Sequence, residues 1–288
     1  MRKPIFFAIL AAALYALNSP FSKLLLQNVP PTMMAGFLYL GAGVGMVLMG
    51  LIRKASSHQD REVRLQKKDM PYTIAMVALD IAAPIFLMIG LSGTTAANAS
   101  LLNNFEIVAT SLIAMLVFKE KISRQLWIAI GLITLSSILL SIEDASSFHF
   151  SVGSLFVLLA CVCWGMENNC TRNLSKSDPL EIVVIKGFGS GIGSILIGLA
   201  IGEHFPMTTD ILKILLLGFV AYGLSIYFYV YAQRDLGAAK TSAYYAVAPF
   251  IGVFFSLIIF REIPGTLFLI AFVIMILGTW MINRNPQE

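Results

Sequence analysis

The sequence predicts an all-α integral membrane protein of ten transmembrane helices, arranged as two inverted five-helix repeats with both termini cytoplasmic. Three observations predict it. Hydrophobic residues make up 58% of the chain and charged residues only 12%, and mean hydropathy is +0.82, more than a water-soluble domain needs to fill its core. One pattern is written twice: Ser100 to Lys121 reads SLLNNFEIVATSLIAMLVFKEK, and 142 positions later Ser242 to Ile263 reads SAYYAVAPFIGVFFSLIIFREI. Both copies are apolar spans ending in an aromatic, a base and an acid, Phe118-Lys119-Glu120 answered by Phe260-Arg261-Glu262. Finally, Lys and Arg gather in alternate loops.

About 20 helical residues cross the roughly 30 Å of bilayer hydrocarbon. Spans of that kind are read near Ile5 to Leu26, Thr32 to Ile52, Pro71 to Leu91, Thr95 to Phe118 and Gln125 to Ile142. Five more follow near Val152 to Asn173, Glu181 to Ile201, Ile211 to Tyr231, Ala238 to Phe260 and Gly265 to Ile282. The first begins after Arg2 and Lys3 but continues past Ala13 with no small-residue cleavage site, so it is expected to be a retained helix and not a signal peptide. The stretch from Arg53 to Asp69 is the one long polar connection, expected as an inner loop.

Basic loops stay in the cytoplasm. With the N-terminus inside, that side receives Arg2, Lys3, the basic residues between Arg53 and Lys68, Lys119, Lys121, Arg124, Lys176, Arg234, Lys240 and Arg284, and the outside only Lys213 and Arg261. The net charge of +4 is thereby spent on topology and anionic headgroups, and no nucleic-acid partner is needed. A five-helix repeat crosses an odd number of times, so the second half, 146–288, enters from the side opposite to the first, 1–145. Inverted repeats are the architecture of many secondary transporters, in which rocking one bundle against the other exposes a central site to each side in turn.

The repeat reaches the first helix of each half at an offset of about 149. Leu14-Tyr15-Ala16-Leu17-Asn18 with Lys23 and Pro30 answers Cys163-Trp164-Gly165-Met166-Glu167 with Arg172 and Pro179. With W-G, a base eight residues on, then Pro, and two terminal helices closing on a base-acid pair, the chain resembles the EamA family of the drug/metabolite transporter superfamily over nearly its whole length. An Arg seven residues after that Pro is usual in such families; Lys186 fits it in the second half and Phe37 does not in the first, while the mid-span Pro is present as Pro249 and replaced by Ile107. The resemblance implies ten helices, inverted halves, and export of small metabolites, often amino acids, with no ATP-binding domain.

Polar residues within the spans mark where a substrate would sit. An ionisable group at the bilayer centre costs roughly 2.5–3.5 kcal/mol, so it normally faces a cavity or a partner. Asp80, Glu106 and Glu167 lie near the middle of helices 3, 4 and 6. Asn103, Glu106 and Thr110 share one face of helix 4; Trp164, Glu167 and Thr171 share one face of helix 6, and their repeat mates on helix 1 are Tyr15, Asn18 and Ser22. Tyr222 occupies on helix 8 the slot of Asp80, with Tyr229 two turns further, and Tyr245 on helix 9 matches Asn103. The candidate cavity residues are therefore Glu106, Asn103, Tyr15, Asn18, Asp80, Trp164, Glu167, Asn168, Tyr222 and Tyr245.

The plainer alternatives are structural carboxyls bonded to a neighbouring helix, for Glu106 at Asn18 or a tyrosine hydroxyl, and for Asp80 an interhelical hydrogen bond. Lys23, Arg172 and Lys186 lie nearer helix ends, where long basic side chains snorkel to headgroups. Trp127 and Trp280 read as interfacial belt residues and Trp164 as central. Gly41 and Gly45 on helix 2, with Gly187, Gly189, Gly191 and Gly193 on helix 7, form small-xxx-small rows that let helices approach. Pro20, Pro84 and Pro249 remove backbone bonds inside spans and are expected to be bending points.

A central acid supports two mechanisms. Glu106 or Glu167 takes a proton from one side and releases it to the other, coupling export to the proton gradient, or an acid holds the ammonium of an amino acid that runs down its own gradient. The expected partners are thus a small-molecule substrate, the lipid bilayer and, in the coupled version, protons; no cofactor is expected. An uncoupled facilitator or a lipid flippase is the alternative. An intramembrane enzyme is disfavoured, because His58, His149 and His204 all lie in or beside loops and no base accompanies Ser190. Cys161, Cys163 and Cys170 share one span, with no histidine and not on one face, and read as buried thiols, not a metal site. A short N-terminus points to a bacterial inner membrane.

Overall fold

The computed structural model describes residues 2–55, 63–119, 122–144, 149–236, 241, 244–261 and 263–284. Glu120 and Glu262, which close the copied segments, lie outside these residues, as do 56–62 of the long inner connection. Helix α1 (Arg2–Tyr15) and α2 (Asn18–Leu25) cover the first expected span, followed by α3 (Pro31–Ala55) and α4 (Met70–Ser92). The fourth span is α5 (Ala96–Leu102) with α6 (Phe105–Phe118), and the fifth is α7 (Arg124–Ser141). The short strands β1 (Ile142–Asp144) and β2 (His149–Phe150) pair antiparallel ahead of α8 (Val152–Leu174). Then come α9 (Pro179–Ala200), α10 (Thr208–Gly218), a π-helical turn over Phe219–Leu224, α11 (Ser225–Leu236), α12 (Ala248–Phe260) and α13 (Thr266–Arg284).

The strand pair departs from the all-α expectation. Ile142, expected to end helix 5, is already extended at φ −83° and ψ 118°, and the backbone of this polar connection pairs with itself. Elsewhere the described residues hold eight helical segments long and apolar enough to cross a bilayer, plus the shorter apolar stretches Ala248–Phe260 and Thr266–Met281.

Local chemistry sets the helix ends. Thr95, Ser123, Ser151 and Asp178 accept hydrogen bonds from the backbone N–H groups of Asn98, Leu126, Ser154 and Leu180, capping α5, α7, α8 and α9. At the other end of the copied segments, Lys119 (φ 56°) and Arg261 (φ 52°) end α6 and α12 in the left-handed region. They are the non-glycine residues with positive φ among those described, so the base of each Phe-base-acid triplet terminates its helix in the same strained geometry.

Helices that are repeat mates by sequence pack antiparallel. Arg53 near the end of α3 bonds Asp178 at the start of α9 at 3.0 Å, while Glu203, just past the end of α9, accepts from Thr32 N at 3.1 Å and Met33 N at 2.8 Å at the start of α3. Between these ends the backbones touch: a Cβ on Gly187 would lie 2.3 Å from Gly43 N. Likewise Gln125 Nε2 of α7 bonds Met281 O of α13 at 2.7 Å, and Ser136 Oγ bonds Ala271 O at 2.7 Å.

The glycine rows do more than join helices 2 and 7. A Cβ on Gly41 or Gly45 would strike Leu215 and Phe219, and one on Gly189 or Gly193 would meet Val77 and Ile81. Each row therefore seats the opposite half's neighbouring helix, and Gly43, Gly187 and Gly191 carry the α3–α9 approach.

Candidate functional site

Three helices break around one point in the bundle: α1 passes to α2 through Ala16–Leu17, α5 to α6 through Asn103–Asn104, and a turn at Ala246–Val247 precedes α12. Two breaks fall just ahead of Pro20 and Pro249, as expected, since Pro20 has no N–H for the Ala16 carbonyl. Helix α4 stays helical through Pro84, and the Asn103–Asn104 break, inside a stretch read as one span, has no proline. Irregular backbone at membrane depth is tolerated where it lines a cavity.

That cavity has a volume of about 60 Å³ and is lined by Tyr15, Tyr39, Asp80, Glu106, Trp164, Glu167, Asn168, Thr171, Lys186, Tyr222, Ile226, Tyr229, Val230 and Tyr245. It has room for about four to six waters at ~10–15 Å³ each. The end of the bundle where α3 begins and α4 finishes is filled by Met33, Leu38, Leu87, Met88 and Leu91, all fully buried.

Two polar clusters line it. Lys186 Nζ lies 2.5 Å from Glu167 Oε1 and 3.2 Å from Asp80 Oδ2, with Lys186 and Glu167 each 3% exposed and Asp80 1%. Asp80 Oδ2 lacks hydrogen-bond geometry to any partner, so its tie to Lys186 is a charge contact; its other oxygen accepts from Tyr39 OH at 2.8 Å. The Thr171 hydroxyl donates to Glu167. In the second cluster Asn168 Nδ2 donates to Glu106 Oε1 at 2.6 Å and reaches Thr110 Oγ1 at 3.4 Å. Asp80 and Glu106 come from the first half of the chain, and Lys186, Glu167 and Asn168 from the second, so both clusters bridge the halves.

Aromatic rings close the remaining sides. Tyr15 lies edge-on to Trp164 at 6.3 Å and to Tyr222 at 5.9 Å, and 5.8 Å from Tyr245. Tyr39 packs on Tyr222 at 4.9 Å, and Tyr229 on Tyr245 at 5.0 Å.

Of the sequence candidates, Tyr15, Asp80, Glu106, Trp164, Glu167, Asn168, Tyr222 and Tyr245 line the cavity. Asn18 stands one layer behind, donating to Tyr222 OH at 3.1 Å and accepting from Ser22 at 3.0 Å. Asn103 is turned into packing at the helix break, where Cys161 Sγ lies 3.9 Å from its carbonyl oxygen. Lys186 is not a snorkelling residue: it sits two turns inside α9 with two carboxylates for company. Three acids at membrane depth require a counter-charge, and that signal would have found it. Tyr39 had no such signal, because its polar partner is another helix's Asp80. Lys23 does act at a helix end, donating to Leu91 O at 2.6 Å and Ser92 O at 3.2 Å at the close of α4.

A profile of the EamA-like transporter family matches residues 2–142 and again 151–284. The chain belongs to the EamA-like transporter family. An uncharacterized transporter of Methanothermobacter thermautotrophicus (strain Delta H) is 25% identical, over 97% of this chain and 85% of that protein. The uncharacterized transporter YyaM of Bacillus subtilis (strain 168) is 21% identical, over 68% of this chain and 67% of its own length. A solved crystal structure of a protein superposes with a TM-score of 0.70 at 16% identity, covering 96% of this chain and 94% of that one; at that identity the likeness concerns the fold alone. Apolar helices, family and relatives together make this EamA protein a multi-pass membrane transporter, and they point away from catalysis.

Proposed function

We propose that this EamA protein is a secondary-active exporter of small metabolites, amino acids first among them, working by alternating access around the cavity between its halves. The observation that carries this reading is the placement of four ionisable groups, Asp80, Glu106, Glu167 and Lys186, on one small cavity to which both halves contribute. At roughly 2.5–3.5 kcal/mol per ionisable group at membrane depth, such a cluster is retained for what it binds. The reading takes ten crossings, halves at 1–145 and 146–288, both termini cytoplasmic and an inner-membrane location. The full apolar packing between α3 and α4 on one side of the cavity supports a site closed at that end and reached from the other. Lys186 is neutralised by its two partners, which leaves Glu106 as the carboxyl available to a substrate ammonium or a proton.

The test is counterflow. Proteoliposomes preloaded with unlabelled L-phenylalanine, or with an amino-acid pool, take up the labelled compound transiently against its gradient if the protein is a carrier. Uptake that only equilibrates, or none with any metabolite tried, removes the carrier reading. A trapped pH dye separates a proton-coupled exporter, which alkalinises or acidifies the lumen with substrate, from a uniporter that does not.

A further inference from the structure

We infer that the cavity recognises the ammonium group of its ligand and not a carboxylate, so that aromatic amines and carboxyl-capped amino acids bind more tightly than the free amino acids from which they derive. The inference rests on the reading of this cavity as the transport site and narrows what that site takes. Its charge balance is the first ground: three carboxyl groups, Asp80, Glu106 and Glu167, face one lysine. Lys186 is held by two of them at 2.5 and 3.2 Å, so a ligand carboxylate meets no uncommitted cation on the lining and brings a fourth acid into it.

The helix breaks beside Glu106 and Pro249 offer few free backbone donors in its place. At two of the breaks the N–H groups nearest the acid are engaged within the turns: Glu106 N with Asn103 O and Ile107 N with Asn104 O, both at 3.1 Å, and Phe250 N and Ile251 N with Val247 O, both at 3.2 Å. Asn168 is taken by Glu106 and Asn18 by Tyr222; Asn104 Nδ2 at the α5–α6 break is buried without a partner among the described residues but lies off the cavity lining.

Glu106 is different. Among the described residues it forms no ion pair; it accepts from the neutral Asn168 amide at 2.6 Å and is partly open to the cavity. A ligand ammonium at Glu106 supplies a second positive charge to a lining of three acids and one base. Tyr15, Trp164 and Tyr245 line the same cavity as Glu106, and a cation among aromatic rings gains from their quadrupoles as well as from burial of its apolar part.

The test uses the full chain purified in detergent, with Trp127→Phe and Trp280→Phe introduced so that Trp164 is the sole tryptophan. Those two lie on the outer surface, 47% and 52% exposed, and lie off the cavity lining. Trp164 fluorescence is titrated with phenethylamine, L-phenylalaninamide, L-phenylalanine and 3-phenylpropionate. Phenethylamine and the amide are expected to bind at least tenfold more tightly than L-phenylalanine, and 3-phenylpropionate not to titrate. Glu106→Gln is expected to weaken L-phenylalanine at least tenfold and phenethylamine by enough more to erase its advantage over the amino acid, at an unchanged melting temperature. Equal or tighter binding of L-phenylalanine or of the propionate overturns the inference, as does a Glu106→Gln protein that keeps the wild-type order. If L-phenylalanine binds best and shows counterflow, the transport reading stands and this inference alone falls. If no probe binds and no amino acid is carried, both fall.

Discussion

Lys186→Met removes the one cation from a cluster in which Asp80 is 1% exposed and Glu167 3%. Methionine keeps most of the side-chain length, so the change is chiefly one of charge. Removing one partner of a buried ion pair costs roughly 3–5 kcal/mol, because the remaining carboxylates keep their desolvation penalty without a counter-ion. At ~2–4 °C per kcal/mol for a protein of about this size, the melting temperature in detergent is expected to fall by ~6–20 °C. The triple variant Asp80→Asn, Glu167→Gln, Lys186→Met carries no charge in the cluster, and neutral replacements of whole ion networks are often tolerated, so it is expected to recover most of the loss. Tryptophan-fluorescence melts of the three proteins decide it. A Lys186→Met protein melting within about 2 °C of wild type, where a loss of ~6 °C is the least expected, would refute the claim that Lys186 neutralises this site.

Other substitutions probe the frame around the cavity. Gly187→Ala places a Cβ 2.3 Å from Gly43 N and is expected to cost ~1–3 kcal/mol by overpacking, whereas Gly131→Ala, with nothing within 4 Å, is expected to stabilise by ~0.5–1 kcal/mol; thermal melts compare them. Glu203→Ala frees the two N–H groups at the start of α3 and is expected to lower stability by ~0.5–2 kcal/mol in the same assay. Lys119→Gly and Arg261→Gly relieve left-handed backbone at φ 56° and 52°, and each is expected to gain about 1 kcal/mol, with equal gains expected if the two copies end alike.

The periodic information in the chain was legible before any coordinates. Apolar length placed the spans, the copied segments placed the matching ends at Lys119 and Arg261, and the cost of a charge in hydrocarbon singled out Asp80, Glu106 and Glu167. What sequence could not supply was partnership across the halves. Lys186 near the start of a helix looks like a headgroup anchor until the fold sets it between Asp80 and Glu167. Tyr39 looks like an ordinary apolar-span tyrosine until its hydroxyl meets Asp80. The break at Asn103–Asn104 was also hidden: proline is an obvious breaker, but α4 stays helical through Pro84, whereas the turn between α5 and α6 contains no proline. Asn18 and Asn103 were placed on the right helices and the right face but one layer too far in, since helical spacing fixes direction and not depth.

The central claim is that the cavity joining the two halves is the path of the transported molecule, with Glu106 its point of contact. The most direct measurement is the initial rate of L-phenylalanine counterflow in proteoliposomes carrying wild-type protein or Glu106→Gln, at matched protein content and with both proteins melting alike. The account predicts counterflow with wild type and a loss of at least tenfold with Glu106→Gln. A Glu106→Gln protein that exchanges substrate at the wild-type rate would contradict it.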